Sequence, residues 1–329
     1  MKKKIRCSFV GASLSNVKRR LVILFDEYDV VIDEKNPDYV FYTSCVNFGH
    51  LEYNHCIKIF YTDENIIPNF NECDYAVGLA PLEFGDRYFR SYVYDLFRRV
   101  PMPPFDREAL LKRSFCNFVY SNSRLADPVR EQIYHALSKY KKIDSAGTLL
   151  NNMGEVLPRR GWTEKLEFLS RYKFTLAVEN STSPGYVTEK ILHPFLAHSL
   201  PIYWGCPNIS SDYHPNSFVN LMDYSSIEEG IKEIIRLDQD DEAYLEKVMS
   251  PFWPYGDSYE DFQKEEIRKL SDFYRHIFEQ PLSQARRRPA YGHQKFLEDW
   301  TTSNYQNRSL NRSLKTYLKN NILNRFCRR

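Results

Sequence analysis

The sequence predicts an α/β protein in which two domains of parallel strands face each other across a cleft, followed by a basic C-terminal tail. The chain has 329 residues, and at roughly 150 residues per domain this length accommodates two domains. Short apolar runs rich in Val, Ile, Phe and Tyr alternate with helical stretches, a pattern typical of strands that are buried on both faces. The alternation stops at a Pro-rich stretch, residues 101–105, and then restarts. We therefore expect domains at 1–112 and 113–290 and an extension at 291–329.

The first half contains five such runs and one crossover helix. Each run is short and nearly continuous, as in a parallel sheet that is covered by helices on both faces. The predicted strands are Ile5–Gly11, Tyr28–Ile32, Tyr39–Thr43, Ile57–Tyr61 and Tyr75–Leu79. Residues Ser15–Glu27 supply the helix between the first two strands.

The second half repeats the alternation. Its predicted strands are Cys116–Tyr120, Lys142–Ser145, Phe174–Val178, Leu200–Tyr203 and Phe218–Leu221. Its predicted helices are Pro128–Tyr140, Thr163–Ser170 and Thr188–His198, and Pro128 suits the first turn of a helix. Two such halves facing each other bring loops from both to one ligand, at the carboxyl ends of the strands.

Composition excludes several other classes of protein. Hydrophobic residues make up 43% and charged residues 27% of the chain. These values are ordinary for globular proteins and exclude a wholly disordered chain and a fibrous protein. No apolar run approaches the about 20 residues that a transmembrane helix needs. The apolar run after the N-terminal lysines is interrupted by Arg6 and by polar residues from Ser13, so it predicts a strand and not a signal peptide. The seven cysteines are scattered without a CxxC pair, which disfavours zinc or disulfides and favours a reducing, cytoplasmic compartment.

Positive charge is concentrated in the C-terminal tail. The chain carries a net charge of +2, and residues 301–329 hold seven Lys or Arg and no acidic residue, which leaves −5 for the rest. Nucleic-acid binding by the whole protein is therefore not expected. On a helical wheel one face carries Leu310, Leu314, Tyr317 and Leu318, and the other carries Arg308, Arg312, Lys315 and Lys319. A basic amphipathic helix of this kind is typical of attachment to an anionic membrane surface; a solvated tail or a helix docked on the body are the alternatives.

The densest functional signal is the segment 174–205. A buried strand ends in Glu179-Asn180, and a Ser/Thr/Pro/Gly loop leads into a helix that begins near Lys190. Helix N-termini attract phosphate through their free N–H groups and dipole. A lysine in the first turn opposes that dipole and costs stability, so Lys190 predicts an anionic ligand. A solvated helix start is the alternative.

A second cation is predicted at an equivalent position, the start of a helix that follows a strand. Arg130 lies in the first turn of the helix after the strand at 116–120. Arg130 and Lys190 on adjacent strand–helix turns suit a diphosphate, with arginine as the bidentate donor and lysine as the point charge. A surface arginine is the alternative.

The first half offers a carboxylate at a matching place. Asp63, Glu64 and Asn65 follow the strand that ends at Tyr61. A carboxylate that faces a diphosphate-sugar site across a cleft is suited to act as a general base. A simple turn that ends the strand is the alternative, because Asp and Asn favour turns.

These segments resemble a known family. ENSTSPGYVTEK at 179–190, followed by PIYWG at 201–205, is similar to the donor-binding signature of α-1,3/4-fucosyltransferases, glycosyltransferase family ten, in particular its soluble bacterial members. Other segments occur in the family's order: FYTDEN (60–65), DYAVGL (74–79), FGDRYFR (84–90), FVYSN followed by PVR (118–122 and 128–130) and FLSRYKF (168–174). The resemblance runs from about residue 56 to 223.

The resemblance implies a GT-B fold, two Rossmann-like domains with the active site between them. It also implies an inverting transfer of L-fucose from GDP-fucose to a sugar hydroxyl. We expect transfer to the 3-hydroxyl of GlcNAc in N-acetyllactosamine- or lactose-type glycans, giving a Lewis x-type product. The alternatives are α-1,4 or mixed linkage, a GT-B enzyme with another nucleotide-sugar donor, and an inactive carbohydrate- or nucleotide-binding protein, which the combination of Glu64, Arg130 and Lys190 disfavours.

The resemblance also implies roles for residues that match the family motif. Glu64 takes the position of the catalytic base, and Arg130 and Lys190 take the positions that neutralise the diphosphate. Six further residues match the donor-binding part of the motif: Asn180 and Tyr186 on the phosphates, Glu189 on the nucleotide ribose, and Asn122, Glu179 and Thr188 beside them.

No metal ligand and no obligatory cofactor are expected beyond the donor substrate, and a divalent metal is at most stimulatory. A D-x-D string at 238–240 resembles the metal–diphosphate motif of other glycosyltransferases, but here it lies in a polar linker at a helix start. The expected partners are GDP-fucose, glycan acceptors and, through the tail, an anionic membrane surface, which predicts a cytoplasmic protein at the inner face of the cytoplasmic membrane.

Overall fold

The structure is a computed structural model of the chain. It describes residues 2–14, 17–18, 21–43, 48–92, 96–97, 102, 104–158, 161–254 and 258–308. The amphipathic helix predicted beyond Arg308 and part of the crossover helix predicted at Ser15–Glu27 lie outside these residues, so membrane attachment stays a prediction. Within the described part of the chain, no helix is both long and apolar enough to cross a bilayer.

Six parallel strands form the first sheet. They are β1 (Lys4–Val10), β2 (Asp29–Ile32), β3 (Tyr39–Tyr42), β4 (Ile57–Tyr61), β5 (Tyr75–Gly78) and β6 (Tyr88–Arg90). Their order in space is β2-β1-β3-β4-β5-β6, and every neighbouring pair is parallel. The five predicted strands are confirmed to within one residue at each end. The strand β6 was not predicted; it is a three-residue edge strand in which each residue is only half-buried.

Five parallel strands form the second sheet. They are β7 (Ser114–Phe118), β8 (Ile143–Ser145), β9 (Tyr172–Val178), β10 (Leu200–Trp204) and β11 (Val219–Asn220), in the order β11-β10-β9-β7-β8. All pairs are parallel. Every residue of the central strand β9 is buried, which explains why its sequence is a continuous apolar run.

Helices cover both sheets. They are α1 (Val22–Glu27), α2 (Arg107–Leu111), α3 (Val129–Ser138), α4 (Trp162–Leu169), α5 (Glu189–Leu196), α6 (Ile227–Gln239), α7 (Asp241–Val248), α8 (Tyr259–Phe278) and α9 (Leu282–Ala285). A further helix runs over 292–308, and short 3₁₀ turns occupy Gly49–Glu52, Ile209–Ser211, Pro215–Ser217 and Leu221–Asp223. The three helices predicted in the second half correspond to α3, α4 and α5.

The long helix α8 packs against the first sheet, not the second. The ring of Phe278 lies edge-on to Tyr28 and Tyr39, with centroids 5.1 and 4.7 Å apart, and Tyr274 lies 6.4 Å from Phe41. The predicted limits 113–290 count this helix with the second domain, whereas its apolar face covers strands at the other end of the sequence. We use first domain for the first sheet with α1 and α8, and second domain for the second sheet with α2 to α7.

Aromatic side chains join the two domains. Tyr92, just after β6 in the first domain, lies 6.3 Å from the ring of Tyr213 in the second domain. The turns after β4 and β9 also meet, because the Asn65 side-chain amide donates to the Ser181 hydroxyl at 2.8 Å. The carboxyl ends of the two sheets therefore face each other, where α/β proteins bind ligands.

Candidate active site

Arg130 is buried at the carboxyl end of the second sheet, in the first turn of α3. Its residue surface is 2% exposed. Nη1 donates to the Asn122 carbonyl at 3.1 Å, and Nη2 donates to the Val178 carbonyl at 3.0 Å and to Oδ1 of Asn180 at 2.7 Å. The guanidinium lies over the Tyr120 ring, 4.2 Å from its centroid, a favourable cation–π geometry. Nε has no hydrogen-bond partner in the described part of the chain.

Lys190, in the first turn of α5, is paired with a buried carboxylate. Glu179 follows β9 and is fully buried, and it accepts hydrogen bonds from the Thr188 backbone N–H and hydroxyl, both at 2.8 Å. Nζ of Lys190 lies 3.1 Å from Oε2 of Glu179. The prediction from the helix dipole took this lysine, which opposes the dipole, as a sign of an anionic ligand. Because Glu179 balances the charge of the lysine within the protein, the position of Lys190 alone does not require such a ligand, and its role in donor binding stays a prediction.

The charges in this cluster shift one another's pKa values. Burial acts to lower the pKa of Lys190, but the carboxylates of Glu179 and Glu189 outweigh it and hold that pKa well above its usual range. Burial raises the pKa of Glu179, against the opposing effect of Lys190. Burial also acts to raise the pKa of Glu189, yet the positive charges of Lys190 and Lys165 bring it down to about 2. Lys190 and Glu189 are therefore both ionised at neutral pH.

A cavity of about 360 Å³ connects the two cations, a size that falls in the range of small-molecule sites. Five of the predicted donor-site residues line it: Asn122, Arg130, Asn180, Glu189 and Lys190. Glu179 and Thr188 are buried next to it and contact Lys190. The structure thus brings together seven of the eight residues predicted to bind a donor.

Glu64 lies on the exposed turn after β4, where the sequence placed it. Its backbone N–H donates to the Thr62 hydroxyl at 3.0 Å. Burial is the main cause of the raised pKa of Tyr186, the eighth predicted donor residue, but the negative charge of Glu64 adds to it. Glu64 and Tyr186 are therefore close enough to interact, although they belong to different domains.

Asp238 and Asp240, the D-x-D residues, have structural roles. Asp238 is 3% exposed at its side chain, and Oδ2 accepts from the Tyr140 hydroxyl at 2.9 Å and from Nζ of Lys141 at 2.5 Å. Asp240 caps α7 by accepting from the Ala243 N–H at 3.1 Å, a favoured use of this residue type. Among the described residues, no group of three or more His, Cys, Asp or Glu is placed to hold a metal ion.

Two side chains of the site escaped the sequence analysis. Lys165 on α4 lines the cavity and helps to lower the pKa of Glu189. The hydroxyl of Tyr120 donates to the Leu176 carbonyl at 2.9 Å and accepts from the Val178 N–H at 2.7 Å, which fixes the ring under Arg130. Neither position carries a local signal, because each depends on how distant elements pack.

Replacing Arg130 by lysine is expected to lower the free energy of unfolding by about 1–3 kcal/mol. A lysine lacks the planar fork that serves two carbonyls and an amide oxygen together, so the Asn122 and Val178 carbonyls lose donors. Arg124→Lys is the matched control, because Arg124 lies exposed on the loop that leads into α3. Urea denaturation of both variants measures the difference, and equal midpoints would contradict the role described for Arg130.

Two family models match the chain in succession. Residues 9–97 match the alpha-(1,3)-fucosyltransferase FucT N-terminal domain, and residues 110–250 match the C-terminal region of glycosyltransferase family 10 (fucosyltransferase). The chain is 32% identical over 266 residues to the alpha-(1,3)-fucosyltransferase FucT of Helicobacter pylori, a match that covers 70% of this chain and 54% of the relative. It is 39% identical over 102 residues to the alpha-(1,3)-fucosyltransferase B of Drosophila melanogaster, covering 28% of this chain and 23% of that protein. The chain thus spans about half or less of the length of these curated relatives.

Solved structures match most of the chain. A crystal structure of an α1,3-fucosyltransferase superposes with a TM-score of 0.73 at 27% identity, over 88% of this chain and 94% of that one. An α1,3-fucosyltransferase with GDP-fucose superposes with a TM-score of 0.68 at 27% identity, over 83% of this chain and 91% of that one. The predicted GT-B fold of two Rossmann-like domains is therefore confirmed. The two successive family models, the H. pylori relative and this superposition lead to one conclusion: the chain belongs to glycosyltransferase family 10, the fucosyltransferases.

Proposed function

We propose that this protein is an α-1,3-fucosyltransferase that moves L-fucose from GDP-fucose to the 3-hydroxyl of GlcNAc in N-acetyllactosamine-type acceptors, with inversion at the anomeric carbon. The proposal rests on one observation above all: Arg130 and Lys190, from two helix N-termini, line a single cavity at the edge where the turn of Glu64 meets the second domain. The activities named for the H. pylori relative and for the superposed structures support it.

The cavity suits the diphosphate of the donor. Arg130 has an Nε with no partner in the described residues, and its two other nitrogens are held by backbone carbonyls, so its position does not depend on the ligand. Nζ of Lys190, held 3.1 Å from Glu179, supplies a charged hydrogen-bond donor on the other side. Glu189 is ionised and lies at the cavity wall, which supports a role for it as acceptor of hydrogen bonds from ribose hydroxyls.

The reaction is a single displacement. The acceptor oxygen forms a bond to the anomeric carbon of fucose while the bond from that carbon to the β-phosphate oxygen breaks. Glu64 takes the proton of the acceptor hydroxyl, and GDP leaves with the bonding electron pair. Arg130 and Lys190 stabilise the negative charge that develops on the β-phosphate, an electrostatic role that requires donors already held in place.

The position on GlcNAc that receives the fucose, O3 or O4, can be tested in the same assay. The relatives include an alpha-(1,4)-fucosyltransferase of Arabidopsis thaliana, 31% identical over 143 residues, which cover 39% of this chain and 36% of that protein. An α-1,4 enzyme prefers acceptors in which the 4-hydroxyl of GlcNAc is free.

Purified protein is expected to form product from GDP-fucose and a type 2 disaccharide, and to do so equally with EDTA present, because two protein cations take the place of a metal. A type 1 disaccharide reports α-1,4 transfer, and GDP-mannose is the control donor. Product with type 1 alone would move the linkage to α-1,4. Product with GDP-mannose alone, or with neither donor while GDP binds, would overturn the proposal.

A further inference from the structure

Arg90 and Asp212 form an ion pair that joins the two domains. Arg90 is the last residue of β6 in the first domain, and Asp212 follows the 3₁₀ turn Ile209–Ser211 in the second. Nη1 donates to Oδ1 at 2.6 Å and Nη2 to Oδ2 at 2.5 Å, a bidentate geometry that is among the strongest for such pairs. The Asp212 side chain is 3% exposed, so water competes little for the pair.

The same guanidinium holds the loop between β9 and α5. Nε of Arg90 donates to the Leu79 carbonyl at 2.9 Å within the first domain. Nη2 also donates to the Gly185 carbonyl at 3.3 Å, and Gly185 is the residue before Tyr186. One side chain therefore contacts its own domain, Asp212 and the loop that carries predicted donor contacts.

Gly185 shows how closely the domains approach at this point. Its φ is +75°, and a Cβ added there would lie 2.5 Å from the Leu79 carbonyl oxygen and 2.7 Å from Cδ of Pro81. Its N–H donates to Oδ1 of Asn208 at 2.9 Å. The loop thus passes between the Leu79 carbonyl of the first domain and the Asn208 side chain of the second, with no room for a side chain at position 185.

We propose that Arg90 is a positioning residue for fucosyl transfer: its bonds to Asp212 and to the Gly185 carbonyl hold the first domain against the second and against the loop between β9 and α5, and so keep Glu64 aligned with the sugar to be transferred. This inference rests on the proposed function. The base lies in one domain and the donor site in the other, so their separation depends on the contact between domains. Such a separation matters because a misplacement of about 1 Å can cost on the order of 100-fold in rate.

The test compares Asp212→Asn and Arg90→Lys with Arg87→Lys. Arg87 is a matched control because it donates to the carbonyls of Phe70, Cys73 and Asp74, all within the first domain. We expect kcat for transfer to fall about 10–100-fold in the two interdomain variants, while GDP affinity by calorimetry stays within about twofold. Hydrolysis of GDP-fucose without acceptor should fall less than transfer, because water needs no precise alignment with Glu64.

Hydrogen–deuterium exchange gives a readout that does not require activity. In the GDP complex, the amides of Gly185, Tyr186 and Thr188 should exchange at least about tenfold faster in Asp212→Asn than in Arg87→Lys. Faster exchange together with lost transfer supports the inference. Wild-type kcat in Asp212→Asn, or equal losses in Asp212→Asn and Arg87→Lys at similar thermal stability, would overturn it. If the wild-type protein transfers no fucose, the proposed function fails. Equal exchange in Asp212→Asn and Arg87→Lys would then also reject the proposal that Arg90 holds the two domains together.

Discussion

Replacing Glu64 by glutamine is expected to lower the rate of fucosyl transfer by about 10²–10⁴-fold, the usual contribution of a general base. Glutamine keeps the shape of the side chain but cannot take a proton from the acceptor hydroxyl. GDP binding should change little, because the cavity that contains Arg130 and Lys190 is lined by residues of the second domain. Steady-state transfer assays and calorimetry with GDP measure the two quantities separately.

Asp63→Asn is the control for this change. Asp63 precedes Glu64 on the same turn, so a general disturbance of the turn would affect both variants alike. We expect Asp63→Asn to retain transfer within a few-fold of the wild-type rate. Unchanged transfer in Glu64→Gln would remove Glu64 as the base, and equal losses in the two variants would point to the turn instead of the carboxylate.

Replacing Lys190 by methionine is expected to weaken both donor binding and folding. The variant leaves the fully buried Glu179 without the ammonium group that lies 3.1 Å away. Breaking a buried ion pair by removing one partner typically costs about 3–5 kcal/mol. Part of this loss should depend on pH. Burial already raises the pKa of Glu179, and a carboxyl group whose folded pKa is raised favours the folded state more as pH falls, so the difference from the wild type should shrink between pH 8 and pH 5.

The double variant Lys190→Met/Glu179→Gln separates the two effects. A neutral amide needs no counter-charge, and it can still accept hydrogen bonds from Thr188, so stability should largely recover. GDP affinity should not recover, because the cation is still missing. Denaturation at both pH values and calorimetry with GDP provide the measurements. Recovery of GDP affinity in the double variant would show that Lys190 acts through folding alone.

Most strands were predictable because each is a continuous apolar run, as buried parallel strands require. The runs at β3, β4 and β5 are buried throughout. The edge strand β6 was missed because Tyr88–Arg90 is short and contains an arginine whose role is to contact another domain.

The site was predictable in its positions but not in its contacts. Arg130 and Lys190 follow strands at helix starts, and they do line one cavity. The pairing of Glu179 with Lys190 could not be predicted, because a carboxylate eleven positions earlier becomes a neighbour only when β9 and α5 pack together. The pairing of Arg90 with Asp212 spans 122 positions, a separation at which local patterns carry no information.

The return of α8 to the first sheet has a consequence for biosynthesis. The second domain is contiguous in sequence and can complete its core as it leaves the ribosome. The first sheet ends at Arg90, but Tyr274 and Phe278, which cover it, lie near the end of α8. At a rate of synthesis of about 5–20 residues per second, about 10–40 s separate the completion of the first sheet's strands from the synthesis of the helix that covers them. During that interval one aromatic face of the newborn chain is open to chaperones, and the domain that is synthesised first is the one that finishes folding last.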